Sequence, residues 1–252
     1  MDVLLEPLPF VNSRNHSASD IRVSEALNAT TLAELVGEVS ELTRRGIAMV
    51  SIRRQQILRI GPAPLQHVLA DSGLEVSSIG FAGGFTGTLG RGYKQAVDDT
   101  RRAIELAAEF RARSVIVVAG SRNLHTRRHA ERIVRDGLND CLDDALRLRV
   151  TMLVPMNSVF GHRREVYRPE HLAPLDWIDS LESLRIRSLL MLRGQSPWNH
   201  LPDCWRRCLT SGGYLRASPR CRAINGSQHL LSHIASRLEI ASRKKEVKTR
   251  AG

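Results

Sequence analysis

A helix–strand–helix–strand segment over residues 96–156 constrains the fold of this chain more than any other stretch. Ala96–Arg111 carries apolar residues at helical spacing with charged residues on the opposite face, and Ser114–Ala119 (SVIVVA) is a mostly β-branched apolar run. Glu131–Leu148 repeats the amphipathic pattern, and Val150–Met156 (VTMLVPM) is a second apolar run. Two buried strands joined by a helix are typical of a βαβ unit, which predicts a parallel sheet covered on both faces.

Apolar runs that predict buried strands recur along the chain at intervals of roughly 25 to 40 residues. Helical patterns fill the spaces between them. The alternation favours an α/β fold, a TIM (β/α)8-like barrel with about seven recognisable βα units and an unclear eighth strand. An open doubly wound sheet is the alternative, but no G-x-G-x-x-G motif lies in a strand-to-helix turn. The further predicted strands are Ile21–Asn28, Ile47–Ile52, Glu75–Phe81, Ser188–Arg193 and a weak one at Tyr214–Ala217.

Helix signals separate these strands. Thr31 is a candidate N-cap for a helix over Leu32–Arg45, with Glu34 at the capping-box position. A short helix over Leu65–Ser72 is predicted to end at Gly73. Further helices are predicted over Leu175–Leu184 and Gln228–Ile240.

The two ends of the chain differ in composition from the expected barrel, which spans residues 21–240. Residues 1–20 are rich in Pro, Asn and Ser and are interpreted as a flexible extension, and residues 241–252 as a basic disordered tail. The formal net charge is +11, and Ser242–Gly252, with five basic residues and one acidic residue, supplies +4 of it. The remaining excess is mostly arginine scattered over helices. This pattern indicates solvated faces, so nucleic acid is not the expected partner.

Composition also disfavours membrane and secreted classes. No run of about 18 apolar residues is present, so no membrane-spanning helix is expected. The N-terminus carries Asp2 and Glu6 and lacks the basic region of a signal peptide. Four cysteines in 252 residues are too sparse for a disulfide framework. We therefore expect a cytoplasmic chain with reduced thiols.

Two features follow predicted strands at the end of the barrel where such folds carry their active sites. Arg53 and Arg54 follow the second predicted strand and are candidates for binding an anionic substrate, although solvated loop arginines are the favoured interpretation. Ala82–Gly92 (AGGFTGTLGRG) is a candidate phosphate cradle through its backbone N–H groups. It lacks the Lys-Ser/Thr pair of a P-loop, so a mobile loop over the barrel mouth is favoured.

Polar residues also follow the fourth and fifth predicted strands. Those after the fourth strand lie where a helix begins and are interpreted as surface residues, with phosphate contact as the alternative. After the fifth strand, Asn157 is a candidate for substrate binding, and His162 and Glu165 are candidates for acid/base catalysis without an identified partner. The residues after the fourth strand are His125, Arg127, Arg128 and His129.

A cysteine-rich segment raises the question of a zinc site. His200, Cys204 and Cys208 are spaced four residues apart and would share one face of a helix, and Cys221 follows further along the chain. The spacing does not match a known zinc module, so these residues are not assigned as ligands.

Several stretches together carry a family resemblance. The chain resembles the sugar phosphate isomerase/epimerase superfamily, the xylose isomerase-like TIM barrels that also include family 2 AP endonucleases, over residues 21–198. The resemblance implies a sugar or sugar phosphate as the ligand. It also implies a Mn²⁺, Mg²⁺ or Zn²⁺ ion at the carboxyl mouth of the barrel, held by Glu, Asp, His and Glu from strands five to eight. The resembling stretches are LNATT (27–31), RRGIAMVSIRRQQI (44–57), DSGLEVSSIGFAGGF (71–85), YKQAVDDTRRAIELAAEFRARSVIVVAG (93–120) and TMLVPMNSVFG (151–161).

The chain departs from the family at each ligand position that can be aligned. Strand five of the family commonly ends in Leu-Glu-Pro, and Val154 occupies the Glu position here. At the end of strand six, Arg193 occupies the Asp position and Ser196 a following His position, while Trp198 matches a family Trp and is a candidate substrate contact. Arg216 lies near the His position of strand seven, and the strand-eight Glu is not found. Val and Arg offer no ligand atom to a divalent ion, so neither a metal nor another cofactor is expected.

These departures leave three functional interpretations. The first is a barrel that resembles a sugar isomerase or epimerase but has weak or no activity. The second is a non-catalytic binding barrel or the product of a decayed gene, since Leu201–Arg222 holds three of the four cysteines and loses periodicity, as a frameshift would produce. The third is a nucleic-acid protein of the AP endonuclease kind, which the charge favours and the missing ligands oppose. A barrel without its eighth strand would expose strand edges, so a homo-oligomer or poor solubility is also expected.

Overall fold

The computed structural model describes residues 3–7, 21–87, 90–122, 124–155, 177–192 and 214–217. Within them, the strands β1 to β8 form a closed barrel in which each strand pairs with its neighbours in chain order. The predicted TIM-barrel architecture is confirmed. The strands are β1 Val3–Pro7, β2 Ile21–Ala26, β3 Met49–Arg53, β4 Glu75–Gly83, β5 Ser114–Val118, β6 Thr151–Pro155, β7 Ile186–Leu192 and β8 Tyr214–Ala217. The helices are α1 Leu32–Arg44, α2 Arg54–Ile60, α3 Pro62–Ser72, α4 Tyr93–Glu109, α5 Arg127–Asp140 and α6 Leu142–Arg147.

Strands β2 to β8 run parallel, as the buried apolar runs predicted. Side chains along each strand alternate between the barrel interior and the layer that faces the helices. Ile116, Leu153 and Leu189 form a small cluster inside the barrel. Val115 and Met152, each one residue away on the same strands, belong to the larger core packed against the helices. Apolar side chains therefore pack both inside the barrel and between the barrel and the surrounding helices.

Strand β1 closes the barrel in a way that the sequence did not predict. It runs antiparallel to both β2 and β8, so that Leu4 lies opposite Ser24 on one side and Arg216 on the other. The flexible extension expected over residues 1–20 is therefore wrong for the five residues of β1. The run VLLEP is short, but all five residues pair with β2, and Val3–Leu5 also pair with β8. The exposed edges that led us to expect an oligomer are thus paired.

The helices differ from the predictions at two places. Arg54–Ile60 forms α2, where the sequence suggested a loop after the strand. The single helix predicted over Glu131–Leu148 is interrupted at Cys141, whose backbone N–H bonds to the Leu138 carbonyl three residues earlier at 3.2 Å. Burial raises the pKa of the Cys141 thiol to about 12, which makes it a core residue rather than a nucleophile.

The remaining helix predictions lie near or beyond the limits of the described residues. Of Leu175–Leu184, the structure describes helical backbone at residues 177–179, and Gln228–Ile240 lies outside the described residues. None of the helices in the described part of the chain combines the length and apolarity needed to cross a membrane.

Candidate binding site at the barrel mouth

A cleft lies on the inner wall of the barrel between β3 and β4, toward their carboxyl ends. Ser51 of β3 is the register partner of Ser78 of β4, and Arg53 is the partner of Gly80. Because residues two apart on a strand share a face, these two pairs form successive layers of the interior. The layer of Ser51 and Ser78 carries two hydroxyl groups. The layer of Arg53 and Gly80, closer to the carboxyl ends of the strands, carries one guanidinium. The lining includes Ser51, Arg53, Ser78, Gly80, Phe81 and Ile116.

Ser78 has an unusual position among the buried serines. Its side chain is fully buried, and its Oγ is the one buried side-chain polar atom of the described residues without a hydrogen-bond partner. The adjacent Ser77, also buried, lies 2.5 Å from the Ser24 Oγ and donates to the Val50 carbonyl at 3.1 Å. An unsatisfied buried hydroxyl costs roughly 1–3 kcal/mol, so its presence in a cleft points to a ligand atom as its partner.

Arg53 ends β3 with its side chain exposed at the rim of the cleft. Its position is fixed through Gln56, whose Oε1 accepts the Arg53 backbone N–H at 2.8 Å. The Gln56 amide in turn donates to the carbonyls of Leu27 and Ala29 at 2.9 and 2.8 Å, which ties α2 to the end of β2. Within the described residues the Arg53 guanidinium has no ion pair. It is therefore available to an anionic ligand.

Arg54 is engaged within the fold. Its guanidinium donates to both carboxylate oxygens of Asp99, at 2.8 and 3.0 Å, and Arg91 approaches the same carboxylate at 3.0 Å. Burial alone would raise the pKa of Asp99, but the hydrogen bonds and charge of Arg54, followed by the charges of Arg91 and Arg102, hold it below its ordinary value. The two adjacent arginines thus differ in role: Arg54 links α2 to α4, and Arg53 faces the cleft.

The glycine-rich segment Ala82–Gly92 is anchored at its beginning by hydrogen bonds to residues at and after the end of β5. Gly84 donates its backbone N–H to the Val118 carbonyl at 2.7 Å, and Thr86 donates through Oγ1 to the Ser121 carbonyl at 2.7 Å. The backbone N–H of Thr86 also bonds to a carbonyl just beyond β5, at 3.4 Å. Because these N–H groups already have partners, this part of the segment does not form a phosphate cradle.

The end of β6 carries no ligand for a divalent ion. Leu153 faces the barrel interior with Ile116, whereas Val154 packs in the core that faces the helices. Pro155, the last residue of the strand, is buried and has no polar side-chain atom. Val154, which aligns with the family glutamate, is therefore turned away from the barrel interior, and none of these three residues fits a metal site.

Of the remaining predicted site residues, one lies within the described residues and the others lie outside them. Arg216 lies in β8, opposite Leu4 and Met191. Among the residues that the structure describes, no three His, Cys, Asp or Glu side chains are grouped so that they could hold a metal ion. Those outside the described residues are Asn157, His162, Glu165, Arg193, Ser196, Trp198, His200, Cys204, Cys208 and Cys221.

The polar residues after β5 lie at the surface, in agreement with the favoured interpretation. The rings of His125 and His129 contact each other with centroids 4.9 Å apart. Arg127 pairs with Glu131 at 2.9 Å along α5, and Arg128 is exposed. None of these four residues lines the cleft.

Sequence reasoning missed Ser51, Ser78 and Gly80. A signal was present, since the segments Ser51-Ile52-Arg53 and Ser78-Ile79-Gly80 each place a serine two residues before another residue of the same strand face. Small and hydroxyl residues at interior positions of two adjacent strands indicate a part of the inner wall that the large side chains of these strands do not cover.

Comparison with known proteins agrees with this architecture. Residues 39–190, more than half of the chain, match the family model described as xylose isomerase-like TIM barrel. No curated protein matches the chain.

Solved structures of similar fold include two sugar epimerases. The 3-keto-D-glucoside 4-epimerase of E. coli has a TM-score of 0.58 and 13% identity, and the match covers 86% of this chain and 98% of that protein. An L-ribulose 3-epimerase has a TM-score of 0.58 and 16% identity, with 89% and 96% covered. A family 2 AP endonuclease from Brucella melitensis has a TM-score of 0.54 and 14% identity, with 71% and 74% covered. At these identities the likeness concerns the fold.

Proposed function

Because this chain belongs to the xylose isomerase-like TIM barrel family, we propose that it is a sugar-binding barrel related to sugar isomerases and epimerases, with weak or no metal-dependent activity. The names of two similar structures, both sugar epimerases, support a sugar as the ligand. The loss of metal chemistry is supported chiefly by one observation. Strand β6 ends in Leu153, Val154 and Pro155, and none of these side chains offers a ligand atom.

The physical argument concerns what the metal would supply. A divalent ion at the barrel mouth polarises substrate oxygens and stabilises the negative charge that develops beside a carbonyl. Such an ion needs oxygen or imidazole ligands held in a fixed geometry. Val154 is buried on the helix-facing side of the barrel wall, and its side chain has no atom that could bind a metal ion.

Binding capacity is independent of that loss. The cleft between β3 and β4 retains a guanidinium at Arg53 and hydroxyl groups at Ser51 and Ser78. Hydrogen-bonding groups in a concave site are what a polyhydroxylated ligand requires. The barrel therefore keeps polar groups suited to a sugar while lacking the family carboxylate on β6.

Carbon-bound hydrogen exchange tests this function. The protein is incubated in D2O with L-ribulose or D-fructose and Mn²⁺, the metal is chelated, and deuterium at the carbons beside the carbonyl is measured by NMR. Ligand binding is followed separately by saturation-transfer NMR. We expect saturation transfer to at least one sugar and no deuterium incorporation above that of heat-denatured protein. Mn²⁺-dependent incorporation would overturn the loss of activity, and the absence of transfer to either sugar would overturn sugar binding.

A further inference from the structure

We propose that the cleft between β3 and β4 is an anion subsite, in which the Arg53 guanidinium and the Ser78 hydroxyl bind the phosphate or carboxylate end of a small polyhydroxylated ligand. The polyhydroxylated part of this inference rests on the proposed sugar-binding function. The anion subsite itself rests on the charges and the hydrogen-bonding state of the residues between the two strands.

The charge argument begins with the contrast between the two adjacent arginines. Arg54 has its carboxylate partner in Asp99, and Arg91 shares that carboxylate. This corner of the barrel therefore carries two guanidinium groups for one carboxylate before Arg53 is counted. Arg53 adds a third positive charge and has no ion pair among the described residues. A planar guanidinium with free donors binds carboxylate and phosphate oxygens through paired hydrogen bonds.

The second observation is the orphaned hydroxyl of Ser78. It is fully buried, lines the cleft and has no hydrogen-bond partner in the described structure. A neutral donor inside a barrel gains most from an anionic acceptor, since hydrogen bonds to charged groups are the stronger ones. The ligand oxygen would supply the acceptor that the fold does not.

Gly80 lies between these two groups on the inner wall of the barrel. It pairs with Arg53 and lies two residues beyond Ser78 on the same face of β4. A Cβ at Gly80 would lie 3.5 Å from Cδ1 of Ile116, so the glycine lets the Ile116 side chain pack closely against β4 between the two groups. Phe81 also lines the cleft and is partly exposed, which offers an apolar surface to the carbon skeleton of a ligand.

Substitution of the arginine gives the first test. Binding of inorganic phosphate, D-fructose 6-phosphate, D-gluconate and uncharged D-fructose is measured by titration calorimetry on the full chain. Arg53→Gln is expected to weaken binding of the charged probes that the wild type binds by about tenfold or more, because a hydrogen bond to a charged group is lost. Arg59→Gln, the same change at an exposed position of α2, is the control and should leave every affinity unchanged.

The four probes separate the possible outcomes. Preference for D-fructose 6-phosphate or for D-gluconate identifies phosphate or carboxylate as the anion. Equal binding of D-fructose and the charged sugars, or equal effects of the two arginine substitutions, would overturn the subsite and leave sugar binding intact. Binding of inorganic phosphate without any sugar would support the subsite and contradict the proposed function. No binding of any probe would contradict both.

Two adjacent serines test the role of the buried hydroxyl. Ser78→Ala is expected to weaken binding of the charged probes severalfold while leaving the melting temperature unchanged or higher, because it removes an unsatisfied group. Ser77→Ala is the matched control, since that hydroxyl bonds to Ser24 and Val50. It should lower the melting temperature and leave the affinity unchanged. Wild-type affinity in Ser78→Ala would exclude this serine from the site.

Discussion

The guanidinium of Arg54 holds the carboxylate of Asp99 through two hydrogen bonds of 2.8 and 3.0 Å, although the two residues are 45 positions apart in the chain. The pair joins the first residue of α2 to the middle of α4 beside the end of β4. The Arg54 guanidinium also donates to the carbonyl of Phe81 at 3.3 Å. This contact fixes the rim of the cleft, so Arg54 positions the site without entering it.

Replacement of Arg54 by Ala should destabilise the fold. Asp99 is buried and would keep Arg91 as its remaining close cation. We expect the free energy of unfolding to fall by about 1–3 kcal/mol in urea denaturation. Arg53→Ala, which removes a guanidinium without an ion pair in the described residues, should change it by less than about 0.5 kcal/mol. Equal losses for the two variants would refute the structural role of Arg54.

Asp99 also predicts a pH dependence. Burial acts to raise the pKa of Asp99, but the hydrogen bonds and charge of Arg54, together with the charge of Arg91, outweigh it and hold the pKa below its ordinary value of 3.8. A carboxyl whose folded-state pKa is depressed stabilises the fold above its ordinary pKa, and this contribution is lost as the pH falls through the folded-state value. The stability of the wild type should therefore fall more steeply below about pH 4 than that of Asp99→Asn. Asp71→Asn, at an exposed position of α3, should follow the wild type. Parallel curves for the wild type and Asp99→Asn would contradict this prediction.

Gly137 should not tolerate a side chain. A Cβ atom there would lie 2.4 Å from Cδ1 of Phe85, the buried ring that anchors the glycine-rich segment against α5. We expect Gly137→Ala to cost about 1–3 kcal/mol in thermal unfolding. Gly37→Ala is the control on α1, where a Cβ has no neighbour within 4 Å. It should stabilise the protein by about 0.5–1 kcal/mol because glycine disfavours helices. A stable Gly137→Ala variant would show that Phe85 does not pack there.

Strand β1 should be required for a closed barrel. Leu4 lies between β2 and β8, so Leu4→Pro removes ladder hydrogen bonds in the middle of a strand paired on both sides. We expect a lower melting temperature and self-association by light scattering, since the edges of β2 and β8 become exposed. Asn12→Pro, between β1 and β2 in the chain, serves as the control. If Leu4→Pro, like Asn12→Pro, keeps the melting temperature and the molar mass in solution of the wild type, closure of the barrel by β1 is contradicted.

The barrel was predictable because each element carries its own period. The helical spacing of apolar residues in α4 and the short unbroken apolar runs of β5 and β6 indicate helix or strand locally, without knowledge of what each element packs against. The break between α5 and α6 was not predictable, because the nearest glycine, Gly137, lies inside α5 and no proline occurs near Cys141.

Barrel closure and the cleft depend on contacts between distant residues. The apolar part of β1 is only three residues long, too short to indicate a strand by itself, and the strand depends on pairing with β2 and β8. The different roles of Arg53 and Arg54 could not be separated either, since Asp99 lies in another helix. The sequence shows that Ser78 shares a strand face with Gly80, but it does not show that the Ser78 hydroxyl lacks a hydrogen-bond partner. That property depends on every neighbouring atom.

Metal content is the most direct test of the central claim that this barrel has lost the metal chemistry of its family. The protein is purified in the presence of excess Mn²⁺, passed through a desalting column and analysed for Mn, Mg and Zn by mass spectrometry. Our account predicts far less than one ion per chain, because the end of β6 offers Leu153, Val154 and Pro155 in place of a carboxylate. One tightly held ion per chain would contradict it.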